Sequence, residues 1–148
     1  MNSYKWKPCL QTFQKNKMLI LDKGQLRKLH NLMRDKGVNN VNISMFSEEQ
    51  RKLVYESYAE QFLGFNGLFF MSNCVVSYAL ANNLDMVNKK LKQEVEYALK
   101  QYDYDYALLC AKLLDDQKIV EFLKQYRITN NYDNIFNNIN KFILEIRK

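Results

Sequence analysis

His30 is the only histidine of this 148-residue chain, and it falls in line with Lys23, Arg27 and Arg34. Positions i, i+4, i+7 and i+11 lie along one stripe of an α-helix, so a basic stripe opposite a leucine face is expected here. Such a stripe can follow a phosphate backbone, meet an acidic protein surface, or remain solvated. Further upstream, Tyr4, Trp6 and Phe13 interleave with Lys5, Lys7 and Lys15. Aromatics among cations can stack on bases, insert at an interface, or pack onto a core. Residues 1–36 hold nine Lys or Arg against Asp22 and Asp35, a net of +7, whereas positions 37–148 sum to −1. The candidates for binding a partner or polyanion are therefore Lys5, Trp6, Lys7, Lys23, Arg27, His30 and Arg34.

Other chemistry is sparse. A single histidine excludes His-rich metal sites, and the sequence contains no phosphate-cradling glycine loop, no H-E-x-x-H and no G-x-S-x-G. Glu49, Glu56 and Glu60 share one side of an expected helix, but a di-metal bundle would add Glu-x-x-His motifs, which are missing. Asp103 and Asp105, set among Tyr102, Tyr104 and Tyr106, suit a helix cap and turn better than a calcium loop. These three tyrosines are a candidate protein interface, because Tyr offers a large contact area at low entropic cost. Cys9, Cys74 and Cys110 are odd in number and without Cys-x-x-Cys spacing. They read as free thiols in a reducing, cytoplasmic setting. No catalytic residue, metal or cofactor is expected.

The elements that must carry these residues are helical. One Pro and four Gly are too few for a turn-rich β protein, and 47% apolar residues suffice for a core in a single domain spanning residues 1–148. Abundant Asn and Lys fit coding from an AT-rich genome, which weakens any argument from lysine counts alone. From Gln61 to Leu84 the chain carries no Asp, Glu, Lys or Arg at all. The amides and glycines of that run argue against a membrane span and for a central helix over 67–82 buried on all sides. Capping signals at Asp22–Gln25 and Ser47–Gln50 predict helices over 22–36 and 48–62, the second burying Leu53, Val54, Tyr58 and Phe62. Residues 38–46 read as a loop or one short strand. Leu84 to Tyr102 is the clearest amphipathic segment, with Val87, Leu91, Val95 and Ala98 on one face. Asp103 or Asp105, then Asp115 or Asp116, cap a helical hairpin, and Ile135 to Ile146 marks a last amphipathic helix. The fold expected is all-α, about six or seven helices around the central one.

Leu84-Asp85-Met86-Val87 and Gln117-Lys118-Ile119-Val120 occupy equivalent places, each after an apolar stretch, 74–81 and 107–114. With Ala107-Leu108-x-x-Ala111 and Ile119-Val120-x-Phe122-Leu123, this resembles the inner helix, turn and outer helix of ankyrin-type repeats, in spacing as well as in order, over positions 74–127. The Thr-Pro-Leu-His signature is absent, and Asn82 or Asp115 replaces the turn glycine. The resemblance implies a protein-binding scaffold with helix surfaces and loops as its contact face; an ordinary helical bundle stands beside it. The sequence thus points to a non-enzymatic module that binds a protein partner, with a nucleic-acid-associated protein, held through the basic segment, as the alternative.

Overall fold

Among the described residues, five of the seven α-helices begin where a short polar side chain takes the place of a missing backbone acceptor. Asp22, Ser47, Asn83, Asp103 and Asp116 each accept the backbone N–H three residues on, and at Asp22 and Ser47 the return bond from Gln25 and Gln50 completes a capping box. The structure, a computed structural model, describes residues 4–5 and 21–148. In chain order it contains β1 (Tyr4–Lys5), α1 (Lys23–Lys36), β2 (Val41–Asn42), α2 (Glu48–Leu63), α3 (Leu68–Leu80), α4 (Leu84–Lys100), α5 (Tyr104–Leu114), α6 (Gln117–Leu123) and α7 (Asp133–Ile146). The two strands are a brief parallel pairing, Tyr4 with Val41 and Lys5 with Asn42. The domain is all-α, its helices packed on one another.

Three successive corners share one construction. Asn82, Tyr102 and Asp115 adopt φ of 58°, 57° and 61°, and each is followed by the Asx residue that caps the next helix. The N–H of Asn83, Asp103 and Asp116 reaches back to the carbonyls of Tyr78, Ala98 and Ala111 at 2.9, 2.9 and 3.1 Å. These are Schellman closures, which satisfy the last carbonyls of one helix while starting the next. Asn and Asp tolerate the left-handed region through local hydrogen bonding, but a tyrosine there costs about 1–2 kcal/mol. Tyr102 is 78% exposed, so no burial offsets that strain.

α3 is the central element, packing against α2, α4 and α7, with Met71, Cys74 and Val75 fully buried. Its burial is less complete than the charge-free run implies. The first turn projects from the domain, leaving Phe69 61% exposed. Leu53 also faces outward, 52% exposed, because α2 buries Val54, Tyr58 and Phe62 instead. At the α4–α5 corner Asp103 is the cap, whereas the buried Asp105 accepts the Thr129 and Asn130 amides at 3.0 and 2.8 Å and the Thr129 hydroxyl at 2.7 Å. Burial raises the Asp105 carboxyl, but these three donors outweigh it and hold the group below its ordinary value. Asp105 thereby ties the 124–132 connection to α5.

Candidate interaction surface

The turn from α2 into α3 must satisfy two helix ends within a short stretch of chain, and α4 supplies both solutions. Lys90 Nζ donates to the carbonyls of Leu63 at 3.1 Å and Phe65 at 2.5 Å, at the negative end of α2. Glu94 Oε1 accepts the Gly67 amide at 2.7 Å, at the positive end of α3, and the Tyr106 hydroxyl at 2.6 Å. Each charge thus meets the helix pole of opposite sign. The two side chains are 0% exposed and pair at 3.7 Å, while Glu94 Oε2 has no hydrogen-bond partner. Gln93 adds bonds to the Leu63 carbonyl at 3.0 Å and to Asn66 Oδ1 at 3.3 Å. Within a lone helix, Lys preceding Glu by four is the less favourable order. The pair is therefore explained by what it grips rather than by α4 itself.

What it grips is an aromatic corner. Phe65, 57% exposed, stacks on Phe70 with ring centroids 5.1 Å apart, and Phe69 meets Phe70 edge-on at 5.3 Å. Phe62 lies beneath, 6.1 Å from Phe69 and 5.0 Å from Tyr58, whose ring is in turn 5.6 Å from His30. A file of rings therefore runs from the α1–α2 contact out to exposed phenylalanines.

At the inner end of that file lies the basic stripe. Lys23, Arg27, His30 and Arg34 line one open groove of about 410 Å³ with Leu26 and Gln61. Lys23, Arg27 and Arg34 are exposed. Arg34 donates to Asn31 Oδ1 at 3.1 Å and Gln61 Oε1 at 2.9 Å. His30 has a different part from the one its spacing suggested. It is buried, with Gln61 Nε2 donating to Nδ1 at 2.8 Å and Nε2 facing Ser57 Oγ at 3.0 Å and the Val54 carbonyl at 3.3 Å. An amide donor on Nδ1 calls for a neutral ring protonated on Nε2. Burial first, and then the charge of Arg34, lower its pKa from the ordinary 6.5, against the Val54 carbonyl, which raises it. It is a structural member of the groove wall, not a cation in it.

That role has a pH signature. Because the folded value is depressed, the His30 contribution is fully present above pH 6.5 and is lost as the pH falls through the folded value. Thermal stability is expected to decline as the pH falls below about 6.5, and His30→Gln should flatten the decline. Melting curves across that range for both proteins check it.

The remaining sequence candidates are dispersed. Trp6 and Lys7 lie outside the described residues, as does Cys9, and Lys5 enters only through the backbone pairing of β1. The three tyrosines do not form one face. Tyr102 is exposed, Tyr104 stacks on Tyr126 at 3.8 Å, and Tyr106 is buried against Glu94, which removes it from any interface. Comparison with family models, curated proteins and solved structures returned no match. What this chain can do must be read from its own surfaces. Burial pushes the Cys74 thiol up to about 12 and raises Cys110 too, so both are held protonated and weakly nucleophilic at neutral pH. Glu49 and Glu60 are exposed, and Glu56 is engaged by the Asn83 side chain. Among the described residues, no three His, Cys, Asp or Glu side chains gather as metal ligands, and no helix is long and apolar enough to cross a membrane.

Proposed function

We propose that this chain is a non-enzymatic module that binds a protein partner, with the Phe65–Phe69 corner as its anchor. The observation that carries the reading is the expense of holding that corner. Two fully buried charges, one with an oxygen left unbonded, immobilise a turn whose outward side is aromatic. Such a pair stabilises a fold no better than well-packed apolar side chains, so its use is to fix one geometry. Fixed, exposed aromatics are what binding hot spots are made of, because little ordering entropy is lost when a partner covers them. The paired hairpins α3–α4 and α5–α6, whose second helices open at Leu84 and Gln117, also suit the repeat-like scaffold that the ankyrin resemblance implies.

Phe65→Ala/Phe69→Ala should keep the fold, at about 1 kcal/mol or less in stability, since both rings are mostly outside. Capture of partners from nuclease-treated host extract should fall at least about tenfold. Leu144→Ala, at an exposed leucine of α7, serves as the control and should capture as the wild type does. Equal capture by all three proteins would refute the corner. The second reading, binding to a nucleic-acid backbone, is favoured by the alignment of Lys23, Arg27 and Arg34 along one groove, and predicts capture that nuclease abolishes.

A further inference from the structure

We infer that the α1–α2 groove binds an acidic segment of a partner protein, one whose apolar side chains continue onto the phenylalanine corner. The inference rests on the protein-binding reading and specifies the chemistry of the partner. Its first ground is uncompensated charge. Among the described residues Lys23 and Arg27 form no hydrogen bond or ion pair, and Arg34 is held only by the neutral amides of Asn31 and Gln61. A guanidinium has five N–H donors, so Arg34 keeps donors to spare in an orientation already fixed. The second ground is the floor. Leu26 is half-buried there, and His30, kept neutral by burial and by the Gln61 donor on Nδ1, adds no charge to the groove.

The third ground is the field around the groove, which separates carboxylates from phosphates. Residues 21–63 carry seven basic and six acidic groups, a net of only +1. Asp22, Asp35 and Glu60, exposed and next in the chain to the groove residues Lys23, Arg34 and Gln61, offset part of the positive charge on which binding to a phosphate backbone depends. A peptide needs no continuous run of it. Two or three carboxylates on one side of an amphipathic segment can meet Lys23, Arg27 and Arg34 singly, while its apolar side rests on Leu26 and passes the exposed Gln61 of the groove to Phe65, four residues further along the chain.

The test is selection from a random peptide display library on the full chain, followed by solution binding of the winning synthetic peptides. Winners should combine acidic residues with apolar anchors, and their affinity should fall steeply with salt. Lys23→Glu/Arg27→Glu changes two exposed residues without partners, so folding should be retained while affinity drops about tenfold or more. Peptides with Lys in place of their acidic residues should then bind this variant and not the wild type, a reciprocity that misfolding cannot produce. Winners lacking acidic residues, or an oligothymidine strand that displaces them and binds with a steep salt slope, would overturn the inference. If Phe65→Ala/Phe69→Ala lost the peptides while Lys23→Glu/Arg27→Glu kept them, the acidic partner would fall and the corner stand. The converse pattern would keep the acidic groove and remove the corner.

Discussion

Glu94→Leu is expected to destabilise the protein by about 3–5 kcal/mol, because it leaves the Lys90 ammonium buried without its counter-charge. The Gly67 amide and the Tyr106 hydroxyl lose their acceptor in the same change. Lys90→Met should cost a similar amount by stranding the carboxylate, leaving the Phe65 carbonyl without its donor and the Leu63 carbonyl with Gln93 alone. At about 3 °C per kcal/mol for a domain of this size, either variant should melt on the order of 10 °C lower. The double variant decides what the pair is for. Removing both charges relieves the electrostatic penalty but leaves the helix ends of α2 and α3 unsatisfied, so its cost should be well below the sum and still above zero. Urea unfolding of the four proteins at neutral pH measures this. Strict additivity would mean that Lys90 and Glu94 hold the corner independently. Faster amide exchange confined to 65–67 in a folded variant would tie the clamp directly to the corner that presents Phe65.

Most helix boundaries were legible in the sequence, because caps are local. Asp22–Gln25 and Ser47–Gln50 settle starts through hydrogen bonds between near neighbours, needing no tertiary information, whereas the pairs Asp103 or Asp105 and Asp115 or Asp116 stayed open until the fold made Asp103 and Asp116 the caps. That Lys23, Arg27, His30 and Arg34 share one helix was legible for the same reason, but that Gln61 of α2 makes a groove with them was not. The clamp was not read, although a signal existed: Glu94 sits two turns after Val87 and one before Ala98, inside the apolar face of α4. Why a charge belongs there depends on the α2–α3 turn arriving over it, which only the assembled fold decides. His30 misled similarly. Its spacing matches the cations, yet it directly follows Leu29 at the edge of the leucine face, close enough for α2 to cover it. Tyr102, Tyr104 and Tyr106 looked like one patch because they are near in sequence, but a left-handed corner at Tyr102 and a helix starting at Tyr104 send them to different places.

The same helix should answer one substitution in opposite ways at two positions. Val75 and Phe69 both lie in the charge-free run, and sequence alone gives no reason to treat them differently. Val75 is 0% exposed at the centre of α3, so in Val75→Asp the carboxylate must be desolvated or neutralised while the packing of a valine is lost. The expected cost is about 4 kcal/mol or more, a large fraction of the whole stability of such a domain. Phe69→Asp places the same carboxylate in the first turn of α3, largely in water and near the positive pole of the helix, where an acid is favourable by about 0.3–1 kcal/mol. Its fold should survive with little change in melting temperature. Partner capture should nevertheless be lost, since a hydrated anion replaces an aromatic anchor and repels an acidic partner. Circular dichroism melts and binding measured on the same preparations separate the two effects. Unfolding by Phe69→Asp would show that the first turn belongs to the core, and an unimpaired interaction would leave the exposed ring without the role assigned to it.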